Sequence, residues 1–496
     1  MSAICAIFRF DGAPVPRTAL APVLESLRGF GPEAVSWTPE TPESPVALGC
    51  RPMRISPEDS HYHPPLRSAD GRIVLVADAR IDNRVELATS LGLSPASTGQ
   101  TSDPDLILAA YEAWGRDCVR RLVGDFAFAL WDQRQRWLFC ARDGMGMRVL
   151  FYHLSPQRVA FATLPQALVA LADVPARLNE QKVAESLVLF QDPATTFFAG
   201  IERLLPGHAL TAGAGGVRTE RFWSPTPTRK IRFRTELDYV EGFNEVFDRA
   251  VLARLRSTGS VGVMLSGGLD STAVAASAAA QLAAQGRRLL AYHAAPRLGF
   301  RENLGGIWVA DESPEAEAIA SGYPNLDLRI HRTDGRTQFD FDEALFGMAG
   351  LPPRNPANLA WYAGLHAAAC AEGVSVMLAG NHGNNTISYD GMRSLLDSAR
   401  RGKWVHLLRE VTAFARATGN GRRDVLREHV LLPLLPARLA AWSEGSSSHR
   451  QGASMIARYS AIRPEFAAAS HVARWVIADG EFGFRTRRAG SLEHRV

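Results

Sequence analysis

A chain of 496 residues, 46% hydrophobic and 21% charged, has the composition of a globular protein and is too long for one hydrophobic core, so two or three domains are expected. The net charge of +4 is spread without a dense Lys/Arg block, which argues against nucleic acid or an anionic membrane as the principal partner. Five scattered cysteines (Cys5, Cys50, Cys118, Cys140, Cys370) without CxxC spacing argue against a disulfide framework or zinc site, and the N-terminal MSAICAIFRFDG lacks a signal-peptide pattern; no window reaches the ~18 apolar residues of a membrane span, so a cytoplasmic protein is expected.

From residue 1 to about 220 the sequence is strand-rich. AICAIFRF, RIVLVADARI, DFAFALWD, RWLFCARD, VLFYHL and RVAFAT are short β-branched or aromatic runs separated by Asp, Gly and Pro. DPDLILAAYEAWGRDCVRRL (103–122) interrupts them with a helical period, which predicts an α+β layered domain over 1–220. The proline-containing FWSPTPTRKIRF (222–233) marks a linker, placed at 221–235. From 236 the texture changes. ELDYVEGFNEVFDRAVLARLR sets Leu237, Val240, Phe243, Phe247, Val251 and Leu255 on one helical face. Strands VGVML, RLLAYHAA, LDLRIHR and VSVMLAG then alternate with helices STAVAASAAAQLAAQ, SPEAEAIASG and NLAWYAGLHAAACAEG, the pattern of a doubly wound parallel sheet within a domain over 236–496. The tail beyond about residue 392 reads as helical and Arg-rich, with a polar loop at SEGSSSHRQG (443–452).

The chemistry concentrates in VGVMLSGGLDSTAVAASAAAQ (261–281): strand, glycine turn, helix. In a doubly wound sheet, ligands sit where the strands' carboxyl ends meet helix N-termini. Gly267 and Gly268 let the backbone approach an anion, free N–H groups and the helix dipole favour negative charge, and the Ser266 and Ser271 hydroxyls add donors. Asp270 would repel a bare phosphate but fits a divalent cation held between carboxylate and phosphate. Neither GxxxxGK(S/T) nor GxGxxG is present at this turn. The bland alternative is a turn that merely closes a βα unit.

SGGLDS after a buried strand resembles the pyrophosphate-binding loop of the ATP pyrophosphatase superfamily, whose members release pyrophosphate and leave AMP on a substrate oxygen. With the first half included, the chain resembles the asparagine synthetase family over residues 1 to about 400. SDPDLILAAYEAWGRDCVRRLVGDFAFALWDQRQRWLFCARDGMGMRVLFYH is close to that family's glutaminase-domain pattern, and FFAGIERLLPGHAL and ERFW match its domain junction. The resemblance implies an N-terminal Ntn-hydrolase-like αββα sandwich followed by an α/β ATP pyrophosphatase-type adenylating domain.

It also implies a degenerate glutaminase site. Ser2 stands where the family has its cysteine nucleophile, and Cys5 falls inside the strand as a core residue. Asp78 and Ala79 replace the Asn-Gly oxyanion pair, and a carboxylate opposes a developing oxyanion. Asp103 keeps the position that binds the amine of glutamine. Glutamine hydrolysis is therefore not expected. Of the family branches without glutaminase, the segments VADESPEAEAIASGYPNLDLRI, RNPANLAWYAGLHAAA and AGNHGNNTISYDG resemble the asparagine-synthetase-like cyclases of lasso peptides. By that analogy ATP and Mg2+ are the cofactors, Ser266 to Ser271 hold the pyrophosphate, and Leu265, His293, Ala379 and Gly380 flank the nucleotide. Asp270 and Asn384 (of Asn384-Asn385, where ordinary members have an acidic pair) ligate the metal. Asn355, Asn358 and Tyr389 lie near the acceptor carboxylate, and Glu312 or Tyr389 serves as general base. The family's synthetase domain runs on to a basic residue that helps stabilise pyrophosphate, and no residue of this sequence is assigned that part. The expected partners are a peptide or small-molecule carboxylate substrate, with a precursor peptide and leader peptidase in the lasso case. Asparagine synthetase proper, and a binding protein that retains the fold without the chemistry, remain open alternatives.

Overall fold

The computed structural model describes the chain apart from residues 17, 32, 38–43, 95–98, 189–191, 226–230, 301–308, 333–334, 353–357, 390–391, 435–459 and 473–496. It divides into two compact units, residues 1–177 with 194–381, and residues 178–193 with 382–496.

In chain order the first elements are β1 (Ala3–Arg9), α1 (Ala21–Ser26), β2 (Val35–Trp37), β3 (Val46–Arg51), β4 (Leu66–Arg67), β5 (Ile73–Ile81), α2 (Arg84–Ser90) and α3 (Asp103–Trp114). There follow β6 (Gly124–Asp132), β7 (Trp137–Arg142), β8 (Phe151–Leu154), β9 (Arg158–Ala162), α4 (Pro165–Val169), α5 (Glu180–Leu187), β10 (Ile201–Arg203), β11 (His208–Gly213) and β12 (Gly216–Arg221). The strands form two antiparallel sheets, ordered β10-β8-β9-β1-β3-β2 and β12-β11-β7-β6-β5-β4. The side-chain period of two explains the layering. Ile4, Ala6 and Phe8 of β1 face Val74, Val76, Ala127 and Ala129 of the other sheet. The alternate residues Ala3, Cys5 and Ile7 pack on Val23, Leu24, Ala167 and Leu168 of α1 and α4. Leu75, Phe126 and Phe128 pack on Leu87, Leu106 and Ile107 of α2 and α3. The result is the expected αββα sandwich, with Cys5 in its core. The helix read over 103–122 is shorter: Gly115 takes φ +57, a conformation that breaks the α-helical run at Trp114, and a 3₁₀ turn continues from Gly115 to Arg120.

The second half opens with α6 (Glu236–Arg254), β13 (Ser260–Met264), α7 (Leu269–Ala283), β14 (Leu289–Ala295) and α8 (Ser313–Ser321). It continues with β15 (Leu326–Arg332), α9 (Asp342–Ala349), α10 (Leu359–Ala371) and β16 (Val374–Leu378). Its sheet is parallel throughout, in the order β15-β14-β13-β16, as the βα alternation requires. Ala275, Ala278, Ala279 and Leu282 of α7 pack on Val261, Val263 and Leu289 of the sheet. The uniform apolar face expected of α6 is not observed. Val251 and Leu255 are buried, whereas Leu237, Val240 and Phe243 are 64%, 54% and 47% exposed. Only the C-terminal turns reach the sheet cluster, and the first turns are partly covered by the Phe233 ring, stacked edge-on against Tyr239.

In the second unit, α5 packs through Ala184 and Val188 against Ile462 and Val472. Helices α11 (Met392–Arg400), α12 (Trp404–Thr418) and α13 (Arg422–Leu426) share a core of Leu395, Leu407, Val411 and Val425, so the expected helical tail is observed over residues 392–434, while 435–459 and 473–496 lie outside the described residues. The polar stretch 443–452 lies outside the described residues. Among the described residues no helix is long and apolar enough to cross a membrane.

Candidate functional site

The chain leaves β13, turns at Ser266–Gly268 and enters α7 at Leu269. Beyond β13 it fills one side of the sheet with β14 and β15, then returns to the other side with β16. The loops after β13 and β16 therefore flank the point where strand order reverses, the usual ligand crevice of such sheets. Gly380, just past β16, confirms how closely they approach: a Cβ on it would lie 2.5 Å from the Ser271 nitrogen and 2.8 Å from the Asp270 carbonyl carbon. Ala379 beside it is half-buried.

Internal hydrogen bonds shape the turn. The Ser266 N–H donates to Ser271 Oγ (3.0 Å), the two hydroxyls lie 2.9 Å apart, and the Gly268 N–H reaches Ser266 Oγ (3.2 Å). The Gly267 N–H donates to Glu312 Oε2 at 2.9 Å. Among the described residues the N–H groups of Leu269, Asp270 and Ser271, at the start of α7, have no acceptor. Together with the helix dipole these make an anion site. The Leu269 side chain is 79% exposed, so it is the backbone of that residue that faces the turn's chemistry.

Asp270 Oδ1 is buried and has no hydrogen-bond partner. An unpartnered carboxylate oxygen beside an anion site suits Mg2+, which is commonly held by one or two carboxylates with phosphate oxygens completing its shell. Among the described residues no group of three or more His, Cys, Asp or Glu side chains has a metal-holding arrangement. His293 on β14 is 2% exposed, and its Nδ1 lies 2.9 Å from the Leu265 carbonyl. With Nδ1–H donating, Nε2 is an acceptor; it too is buried without a partner. Leu265, Ser266 to Ser271, His293, Glu312, Ala379 and Gly380 thus gather around one turn.

The remaining residues stand apart. Asn358 is exposed at the start of α10, and its side chain makes no cap bond. Asn355 lies outside the described residues. Asn384 and Tyr389 belong to the second unit. There the Asn384 amide oxygen accepts from the Ser388 hydroxyl at 3.1 Å, and Tyr389 is half-buried.

At the glutaminase-like position Ser2 is 6% exposed. Its N–H donates to Asp78 Oδ1 (2.9 Å), and its Oγ accepts from the Met53 N–H (3.0 Å). Arg148 Nε lies 3.3 Å from Asp78 Oδ2. Asp103, 1% exposed, accepts from the Ile81 N–H (3.0 Å), from Arg84, and from Arg256 Nη2 (2.9 Å). Arg256 follows α6 and also meets Glu58 (3.1 Å) and the Ile81 carbonyl (2.9 Å). Burial works against its charge, but Asp103 and Glu58 outweigh it and hold the guanidinium above its ordinary range. Arg254 pairs with Asp125 and with Asp82 (2.8 Å). Arg80 donates to the carbonyls of Ala253 and Arg256; burial, helped by Arg256 and Arg254, lowers it to about 10. The cavity left among Ser2, Tyr62, Asp78, Ala79, Asp103 and Arg148 measures about 30 Å³. That is room for about one water, not for an amino acid. Sequence reasoning missed Arg148, Arg254 and Arg256. Nothing in their spacing distinguishes them from other surface arginines, because their carboxylate partners lie far away in the chain.

Residues 1–223 match the family model described as glutamine amidotransferase domain, and residues 242–478 match the one described as asparagine synthase. A Bacillus subtilis protein named asparagine synthetase (glutamine-hydrolyzing) 3 is 32% identical over 215 residues, 43% of this chain and 35% of that one. A Mycobacterium bovis protein named putative asparagine synthetase (glutamine-hydrolyzing) is 30% identical over 342 residues, 63% of this chain and 50% of that one. This chain therefore spans half or less of the length of these relatives. A solved glutamine phosphoribosylpyrophosphate amidotransferase from B. subtilis aligns with 66% of this chain and 90% of its own at 13% identity and TM-score 0.33. The two family matches and the relatives together support the asparagine synthetase family.

Proposed function

We propose that this chain is an ATP-dependent, AMP-forming carbon–nitrogen ligase of the asparagine synthetase type, and that its amide nitrogen comes from an amine, not from glutamine. The observation that carries the first part is the turn Ser266–Ser271, with free N–H groups and a partnerless Asp270 oxygen where strand order reverses. A carboxylate oxygen of the substrate attacks the α-phosphorus of ATP; the bond to the α–β bridging oxygen breaks and pyrophosphate leaves. The backbone N–H groups of 269–271 and the Ser266 and Ser271 hydroxyls receive the charge on the departing pyrophosphate. Magnesium at Asp270 would neutralise that charge further. Leu265 and the His293 acceptor nitrogen orient the nucleoside, and Ala379-Gly380 close the other wall. The amine then attacks the acyl carbon, AMP departs, and the nitrogen's proton passes to a general base, for which Glu312 is the candidate beside this turn.

The second part rests on the filled glutaminase-like pocket. Asp103, by resemblance the ligand for the glutamine amine, is engaged by two guanidinium groups, and Asp78 faces Arg148 beside Ser2. Within this reading the substrate is a precursor peptide whose own N-terminal amine attacks an activated Asp or Glu side chain, giving a macrolactam. Holding both ends in one molecule replaces a bimolecular encounter with an intramolecular one. The names of the relatives, glutamine-hydrolyzing asparagine synthetases, favour a second reading, in which aspartate is the acceptor and the nitrogen comes from glutamine or ammonia. Incubation with ATP and Mg2+ separates them. A candidate precursor peptide that loses one water by mass spectrometry supports the macrolactam. Aspartate-triggered pyrophosphate release, with none from peptides, supports asparagine formation. If no carboxylate supports ATP–pyrophosphate exchange, the ligase assignment fails.

A further inference from the structure

Glu312 stands at the N-cap of α8, where a side chain ordinarily accepts an N–H of its own helix; it makes no such bond. Asp311 takes that part, its Oδ1 accepting from the Ser313 N–H (3.1 Å) and hydroxyl (2.5 Å). Those bonds, the hydroxyl's foremost, hold the Asp311 carboxyl below its ordinary range. Glu312 is thereby released to reach across to the phosphate turn, where Oε2 accepts the Gly267 N–H at 2.9 Å. Packing enforces the placement: a Cβ on Gly267 would lie 3.0 Å from the Glu315 Cβ and 3.3 Å from the Glu312 Cβ.

A carboxylate oxygen accepting a backbone N–H at such a turn makes the contact a phosphate oxygen would make there. We propose that Glu312 is a built-in occupant of the phosphate turn that excludes metal-free anions and yields only to a divalent-metal complex of a nucleoside polyphosphate. Free ATP, pyrophosphate or inorganic phosphate would bring its charge against both Glu312 and Asp270 without compensation. A metal-bound polyphosphate carries the countercharge with it, so the turn can exchange one acceptor for another. Glu312 then acts as a specificity residue of the nucleotide site, and the inference rests on the nucleotide reading given above.

The test is calorimetric binding of ATP to the full chain, once with excess Mg2+ and once with chelator, for the unaltered protein, Glu312→Gln, Glu312→Ala and Glu315→Gln. Glu315 is exposed and accepts no N–H of the turn among the described residues, so its substitution measures the general field of a nearby carboxylate. Removal of the charged contact is expected to strengthen metal-free ATP binding by about tenfold or more. Mg·ATP binding should gain less than metal-free binding, so the preference for the metal complex falls. Glu315→Gln should leave that preference within about twofold. An unchanged preference in both Glu312 variants, with thermal melts showing them folded, overturns the inference and leaves the nucleotide reading standing. So does an equal effect from Glu315→Gln. Absence of Mg·ATP binding by the unaltered protein overturns the nucleotide reading itself.

Discussion

Gly380→Ala is the sharpest probe of the nucleotide crevice, because it adds one methyl group to a residue whose side is turned to the backbone of α7. The new carbon would stand 2.5 Å from the Ser271 nitrogen, 2.8 Å from the Asp270 carbonyl carbon and 2.9 Å from the Ser271 Cα. Ordinary contact needs about 3.5 Å, so the end of β16 and the first turn of α7 must separate by about 1 Å. No flexible side chain is available to absorb the shift, since all three neighbours are main-chain atoms. The separation carries the N–H groups of 269–271 and the Asp270 carboxylate away from the positions in which they are proposed to grip pyrophosphate. A misplacement of that size costs about a hundredfold in rate. The fold should lose only the ~1–3 kcal/mol of a tight over-packing, because the parallel sheet itself is untouched. Carboxylate-dependent ATP–pyrophosphate exchange, measured beside a denaturant melt, reads both quantities. Exchange within twofold of the unaltered protein in folded Gly380→Ala would show that these two loops do not hold the nucleotide between them.

Ser2→Ala should leave amine-dependent ligation unchanged, and neither form should release glutamate from glutamine; glutamate release that disappears with Ser2 would restore a working glutaminase. Asp103→Ala leaves Arg84 and Arg256 without their shared counter-ion and should destabilise the fold by about 3–5 kcal/mol in chemical denaturation; a loss below about 0.5 kcal/mol would mean that the cluster is not formed. Burial raises the Cys50 and Cys118 thiols from 9.0 to about 12 each. A neutral thiol is favoured in the folded state, so their contribution is full below pH 9 and is lost as pH rises toward 12. Melting temperature should fall across that window, and at mildly alkaline pH a thiol reagent should label exposed Cys370 promptly and the four buried cysteines only on unfolding. Rapid labelling of more than one cysteine in the folded protein would contradict the sandwich core.

The architecture was legible wherever local pattern and tertiary environment agreed. Runs such as Leu289–Ala295 and Val374–Leu378 are short, apolar and separated by helical stretches, and only a parallel sheet covered on both faces accommodates that order. The Ser266–Ser271 turn was legible because its parts are local: strand, turn and helix N-terminus lie within about ten residues. Other features depend on what a segment meets. The amphipathic stripe of α6 predicted the helix but not its burial, since the apolar face at Leu237, Val240 and Phe243 extends past the sheet that covers Val251. The strand Val46–Arg51 has no period-two alternation because all six of its residues are buried, so its sequence does not announce it. Glu312 is named from the sequence, with Tyr389, as a candidate general base because amine attack calls for one. Its contact with Gly267 crosses from one βα connection to another, which no sequence spacing encodes.

Asp103 links the glutaminase-like pocket to the helix that precedes the parallel sheet. In the family pattern this carboxylate receives the ammonium group of a free amino acid. Here it receives Arg256, and neighbouring Asp82 and Asp125 receive Arg254, both from the C-terminal end of α6. A guanidinium carried on the same chain competes at an effective concentration of mM or above, and it is placed before any solute arrives. Arg80 extends the joint by donating to the carbonyls of Ala253 and Arg256, so backbone as well as charge is fixed. A glutamine amine would have to displace a tethered cation that bonds Glu58 and the Ile81 carbonyl as well, and then find space where about 30 Å³ remains. Arg256 follows α6, the helix that leads into β13 and the Ser266–Ser271 turn. Arg80, Arg254 and Arg256 thus fasten the sandwich to the parallel-sheet half through contacts that include Asp103 of this pocket.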